Sequence, residues 1–125
     1  MTTAGSILCI GRNRRNQELL HQVLTTAGYS VEVALTYEDL SIDELVEENG
    51  RASVSLILLD VTGFDARIWQ FCQASSSRAI PLFIITPSDS AHLLERHTPC
   101  IRLLVKPLDI RSLLTLLAHT LQISQ

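Results

Sequence analysis

The sequence predicts an α/β domain: a doubly wound, five-stranded parallel sheet of order 2-1-3-4-5, with five helices on its two faces. Three observations carry that expectation. Short apolar runs alternate with amphipathic stretches along the chain. Three of the five strand candidates are apolar on both faces, as strands of a covered parallel sheet are. The chain has 125 residues, 46% of them hydrophobic, which fits one domain spanning 1–125 with a core of its own. Right-handed crossovers then give the doubly wound arrangement.

Ile7-Leu8-Cys9-Ile10 is the first strand, followed at once by polar Gly11-Arg12-Asn13-Arg14-Arg15. Leu19, Leu20, Val23, Leu24 and Ala27 recur at helical spacing, and Gly28 supplies the stop. Tyr29 to Ala34 reads as the second strand, with Val31 and Val33 on one face. Thr36, with Asp39 three residues on, opens a second helix with an acidic outer face, which Asn49-Gly50 ends. Ser55 to Asp60 is an apolar strand closed by a carboxylate. A helix through Trp69, Phe71 and Cys72 follows, then a strand from Pro81 to Thr86. Residues 89–97 make a short helix stopped near Thr98-Pro99, and Ile101 to Lys106 is the fifth strand. Asp109 caps a last helix with Ile110, Leu113, Leu114, Leu117 and Leu121 inward. Leu116 falls off that stripe and could be exposed.

Composition excludes several classes. A net charge of −3 is unsuited to general nucleic-acid binding, and the Arg12-Arg14-Arg15 cluster reads as solvated charge at a helix start. No apolar run reaches the ~18 residues of a membrane span, and the first residues lack the basic segment of a signal peptide. Cys9, Cys72 and Cys100 form no CxxC and sit in or beside apolar runs, as free thiols in a reducing cytoplasm do. There is no GxGxxG, no Walker A lysine and no GxSxG, so an enzyme is not expected. His21, His92, His97 and His119 are scattered on helical stretches and read as surface or packing residues.

In doubly wound sheets, chemistry lies at the carboxyl ends of the strands, near the switch in strand order. The residues there are Gly11-Arg12-Asn13, Asp60, Thr86 and Lys106. Asp60 ends a run of four aliphatics, and a carboxylate there needs a partner. Lys106 is the chain's only lysine, against nine arginines, and also ends an apolar strand. Two readings stand side by side. One is a structural ion pair with a capping threonine. The other is a phosphoryl-acceptor aspartate whose acyl phosphate is held by an ammonium and a hydroxyl.

These residues carry a resemblance. The apolar strand ending in Asp60, Ile84-Ile85-Thr86, Val105-Lys106-Pro107 and Gly28-Tyr29-Ser30-Val31 resemble the response-regulator receiver domain of two-component signalling, over essentially the whole chain. The resemblance implies phosphorylation at Asp60, with Thr86 as switch hydroxyl, Lys106 as phosphate contact and a cis Lys106–Pro107 bond.

The chain also departs from that pattern. Active receivers carry two adjacent acids after the first strand that hold Mg2+; here Gly11, Arg12 and Asn13 stand in that stretch. Mg2+ binding is therefore expected to be weak or absent, and with it the cation that stabilises phosphoryl transfer. Arg12 either clamps Asp60 in a bidentate fork or points to solvent. Pro87 lacks the backbone N–H that the family uses as a phosphoryl donor. Leu103 replaces the aromatic that rotates on activation, and the 61–68 loop lacks the usual Pro and Asp-Gly. The expectation is a pseudo-receiver: a phosphorelay interaction module that binds signalling proteins such as a histidine kinase or downstream effector. Self-association would use the fourth helix, fifth strand and fifth helix. The alternative is a working receiver phosphorylated on Asp60.

Overall fold

Five strands form one all-parallel sheet in the computed structural model of the chain, which describes residues 6–35, 54–60, 66–77, 80–86, 102–106 and 109–121. They are β1 (Ser6–Ile10), β2 (Ser30–Ala34), β3 (Leu56–Asp60), β4 (Leu82–Thr86) and β5 (Arg102–Val105), in the order β2-β1-β3-β4-β5. Among the described residues three helices accompany them: α1 (Arg14–Thr26), α2 (Ala66–Ser77) and α3 (Ile110–Leu121). The helices expected from Thr36 and over 89–97 lie outside the described residues, as do Cys100, Pro87 and the Lys106–Pro107 bond.

Pleat alternation sorts the core into two layers. Leu8, Ile10, Ile57, Leu59, Leu82 and Ile84 face one side, where Ile68, Phe71 and Cys72 of α2 cover them. Ile7, Cys9, Leu56, Leu58, Phe83 and Ile85 face the other, under Leu20 and Leu24 of α1 and Leu113 and Leu117 of α3. The helices thus lie on both faces, and the central strands β1, β3 and β4 are buried on both sides. At about 25 cal/mol per Å2 of apolar surface removed from water, these two layers are the main source of stability.

Helix α1 begins where Asn13 accepts a hydrogen bond on its side-chain oxygen from the Asn16 N–H at 3.0 Å. It ends in a Schellman motif: Tyr29 N–H donates to the Leu24 carbonyl and Gly28 N–H to the Thr25 carbonyl. That closure needs the left-handed φ of 104° at Gly28, which only glycine takes at no cost. The buried stripe of α1 is Gln17, Leu20 and Leu24, not the all-apolar set expected. Leu19 is 52% exposed, and Ala27 is the exposed C-cap. Val33 on the edge strand β2 is also exposed, while Val31 packs against the core.

Asp109 caps α3, accepting from the Arg111 N–H at 3.1 Å and the Ser112 hydroxyl at 2.8 Å. The Ser112 hydroxyl, aided by the Arg111 and Ser112 backbone and the Arg111 charge, holds the Asp109 carboxyl below its ordinary value. Leu116 is half-buried against the α1–α3 layer, so the exposure expected for it is not found. Cys9 and Cys72 are free thiols in the core, and burial pushes them up to about 12 and about 11 respectively. Among the described residues no helix is long and apolar enough to cross a membrane.

Candidate functional site at the strand ends

Register places the site. Ile10 of β1 pairs with Leu59 of β3, so Gly11 stands beside Asp60. Asp60 pairs with Ile85 of β4, and Ile85 with Leu104 of β5. Lys106 lies two residues beyond Leu104, on the same pleat face, tied to β4 by its N–H to the Thr86 carbonyl at 2.9 Å. Its long stem crosses the end of β4 and sets Nζ 2.9 Å from Asp60 Oδ1.

The pair is mostly out of water: the Asp60 side chain is 9% exposed and that of Lys106 31%. Oδ1 is buried and accepts no hydrogen bond of proper angle, although the ammonium is at ion-pair distance. The contact is an off-axis electrostatic pair rather than a directed hydrogen bond. Removing the lysine would take away the counter-charge that the described residues give a nearly buried carboxylate. Thr86, fully buried at the end of β4, is one residue beyond the partner of Asp60 and so leaves the sheet from the opposite pleat.

The other side of Asp60 is built from backbone. Gly11 is buried, and its φ lies outside the left-handed region, so conformation does not call for glycine. Space does: a Cβ there would meet Asp60 Cβ at 3.1 Å. It would also lie 3.6 Å and 3.7 Å from the Cδ and Nε2 of Gln17. Gln17 is buried, and its Nε2 donates to the carbonyls of Cys9 and Ala34, both at 3.0 Å. Ala34 O also accepts from Gly11 N–H at 3.0 Å. Gln17 thus ties the ends of β1 and β2 together. The sequence reading missed it, although a polar residue three and seven positions before Leu20 and Leu24 was the available signal.

Of the remaining expected residues, Arg12 is exposed in the turn after β1, and the ion pair to Asp60 is made by Lys106. Asn13 serves as the α1 cap. Leu103 lies in β5, in register with Ile84. Pro87 and residues 61–65 fall outside the described residues. His21 and His119 are exposed, as expected.

Above the pair is a cleft of about 290 Å3 lined by Asn16, Leu19, Leu20, Asp60, Ile85, Lys106 and Ile110. Among the described residues, no three His, Cys, Asp or Glu side chains are grouped to hold a metal ion. Among the described residues the carboxylate at the end of β3 is Asp60, and it already faces an ammonium.

No family model matches the chain, and no curated protein sequence does. Solved structures do match. A response regulator receiver protein from Sinorhizobium medicae is similar at a TM-score of 0.73, 18% identity and 96% of each chain. The non-phosphorylated HemR receiver domain from Leptospira biflexa is similar at 0.73, 19% identity and 96% of each chain. A two-component response regulator from Clostridium difficile is similar at 0.73 and 21% identity, over 96% of this chain and 98% of that one. The strand order, the helices on both faces and these matches give one conclusion: the chain has the fold of response-regulator receiver domains.

Proposed function

We propose that the chain is a receiver-like signalling module that works through protein contacts, with its metal-dependent phosphorylation impaired. The observation that carries this is Gly11 packed against Asp60, where a Cβ would already be only 3.1 Å away. A Mg2+ ion asks for several oxygen ligands in near-octahedral geometry. The residues flanking Asp60 offer a glycine on one side and an ammonium on the other. Without the cation, charge developing on a transferring phosphoryl group lacks its main stabiliser. The chain is then a non-enzymatic binding partner of signalling proteins, such as a histidine kinase or a downstream effector, in a reducing cytoplasm.

A second reading, a working phospho-acceptor, draws on two features. Oδ1 of Asp60 has an acceptor site not used by a directed hydrogen bond, and Lys106 stands within reach of anything attached there. Incubation with acetyl phosphate and Mg2+, followed by peptide mass spectrometry, separates the two. The module reading expects no stoichiometric label on Asp60. Stoichiometric label that vanishes in Asp60→Asn would replace it with the second reading.

A further inference from the structure

We propose that the cleft over the Asp60–Lys106 pair binds a small, uncharged, largely apolar molecule that carries a hydrogen-bond acceptor. The proposal rests on the module reading above, in which this end of the sheet takes no phosphoryl group, and it names what the site takes instead. At about 290 Å3 the cleft lies near the lower bound of ligand-sized pockets. It is larger than the ~150 Å3 cavity that holds benzene, so a substituted single ring or a short branched chain fits.

The walls and the floor select differently. Leu19 and Leu20 of α1, Ile85 of β4 and Ile110 of α3 form the walls, with Asn16 at one edge. These surfaces favour an apolar body. The floor carries the two formal charges among the lining residues, and they are of opposite sign.

Both charges line the cleft, and Lys106, at 31% exposed against 9% for Asp60, is the more accessible of the two. An ammonium has three donors, and the off-axis contact with Asp60 uses none of them in a directed hydrogen bond. These donors call for an acceptor. A full negative charge gains less, because Asp60 stands directly behind and the apolar walls make its desolvation expensive. A cation meets Lys106 first and is repelled. The ranking is therefore neutral acceptor, then anion, then cation.

The test is a titration of the full chain, with its Leu and Ile methyl groups labelled for NMR, against three ring compounds of near-equal size. These are acetophenone as the neutral acceptor, benzoate as the anion and benzylammonium as the cation. Acetophenone is expected to shift the methyls of Leu19, Leu20, Ile85 and Ile110 saturably. Benzoate should bind at least about tenfold more weakly and benzylammonium not at all.

Leu19→Trp, at an exposed position that tolerates a larger side chain, should fill the cleft and abolish the response. Lys106→Met, checked for folding by the same methyl spectrum, should weaken acetophenone about tenfold. The proposal is overturned if acetophenone gives no saturable shift at those methyls, if benzoate binds as tightly, or if Leu19→Trp leaves binding intact. Phosphorylation of Asp60 in the separate acetyl phosphate assay would remove the underlying reading without altering the titration, so the two failures are distinguishable.

Discussion

The carboxyl end of the sheet has two halves that solve the same problem differently. Towards β2, the ends of β1 and β2 are joined by neutral hydrogen bonds: Gln17 to Cys9 O and Ala34 O, and Gly11 to Ala34 O. Towards β5, the ends of β3 and β5 are joined by charge, Lys106 reaching over β4 to Asp60. Gly11 is the seam, close enough to Asp60 that its missing side chain matters. The comparison teaches that polar chemistry at such a site depends on both halves. The β3–β5 half has a carboxylate and an ammonium, while among the described residues the β1–β2 half offers packing and backbone where a metal site would need acids.

The largest effect should come from the neutral half. Gln17→Leu removes two hydrogen bonds and leaves the Cys9 carbonyl buried without its side-chain partner. It should cost about 3 kcal/mol in urea denaturation with an unchanged m-value. A loss near zero would mean that the bridge between β1 and β2 contributes nothing. Lys106→Met on the charged half should cost about 2 kcal/mol, less than a fully buried pair because Lys106 is partly solvated. Adding Asp60→Asn should recover much of that loss, and a double-mutant cycle reads the coupling; strict additivity would show that the two side chains do not interact.

At the seam, Gly11→Ala should cost about 1 kcal/mol by overpacking against Asp60 Cβ. A neutral outcome would mean that the seam has room for a side chain.

The smallest effect lies away from both halves, at the α3 cap. The Asp109 carboxyl is held below 3.8 in the folded chain, first by the Ser112 hydroxyl. A depressed carboxylate contributes its full stability above the unfolded value and loses it as pH falls through the lower folded one. The Tm difference between wild type and Asp109→Ala should therefore be present at neutral pH and shrink below about pH 3.8. Protection of the α3 first-turn amides against hydrogen exchange should fall over the same range. A difference that persists unchanged in acid would show that the cap does not depend on the ionised carboxylate.

Much of this was legible in the residues themselves. The doubly wound parallel sheet followed from alternating apolar runs and the crossover rule, because buried parallel strands are the segments that periodicity marks most clearly. Asp60 and Lys106 were legible because a charge at the end of an apolar strand must find a partner, and register brought them together. Gln17 was not, because helical periodicity marks apolar positions: the set it marks on α1 includes Leu19, which is exposed, and passes over the buried glutamine. The role of Gly11 was half legible. Its identity announced the absent acid, but only the 3.1 Å approach to Asp60 gives the steric reason for a glycine. The dual use of Asn13 as a cap was hidden by reading it with its neighbours as part of a metal position.

The central claim is that the β1–β2 half gives Asp60 no metal-binding partner. Mn2+ standing in for Mg2+ tests it directly, because bound Mn2+ broadens nearby NMR signals. Titrated into the full chain, it should give no saturable, localised broadening at the amides of Gly11, Asp60 and Lys106. Saturable broadening centred on those three amides, competed away by Mg2+, would contradict the account.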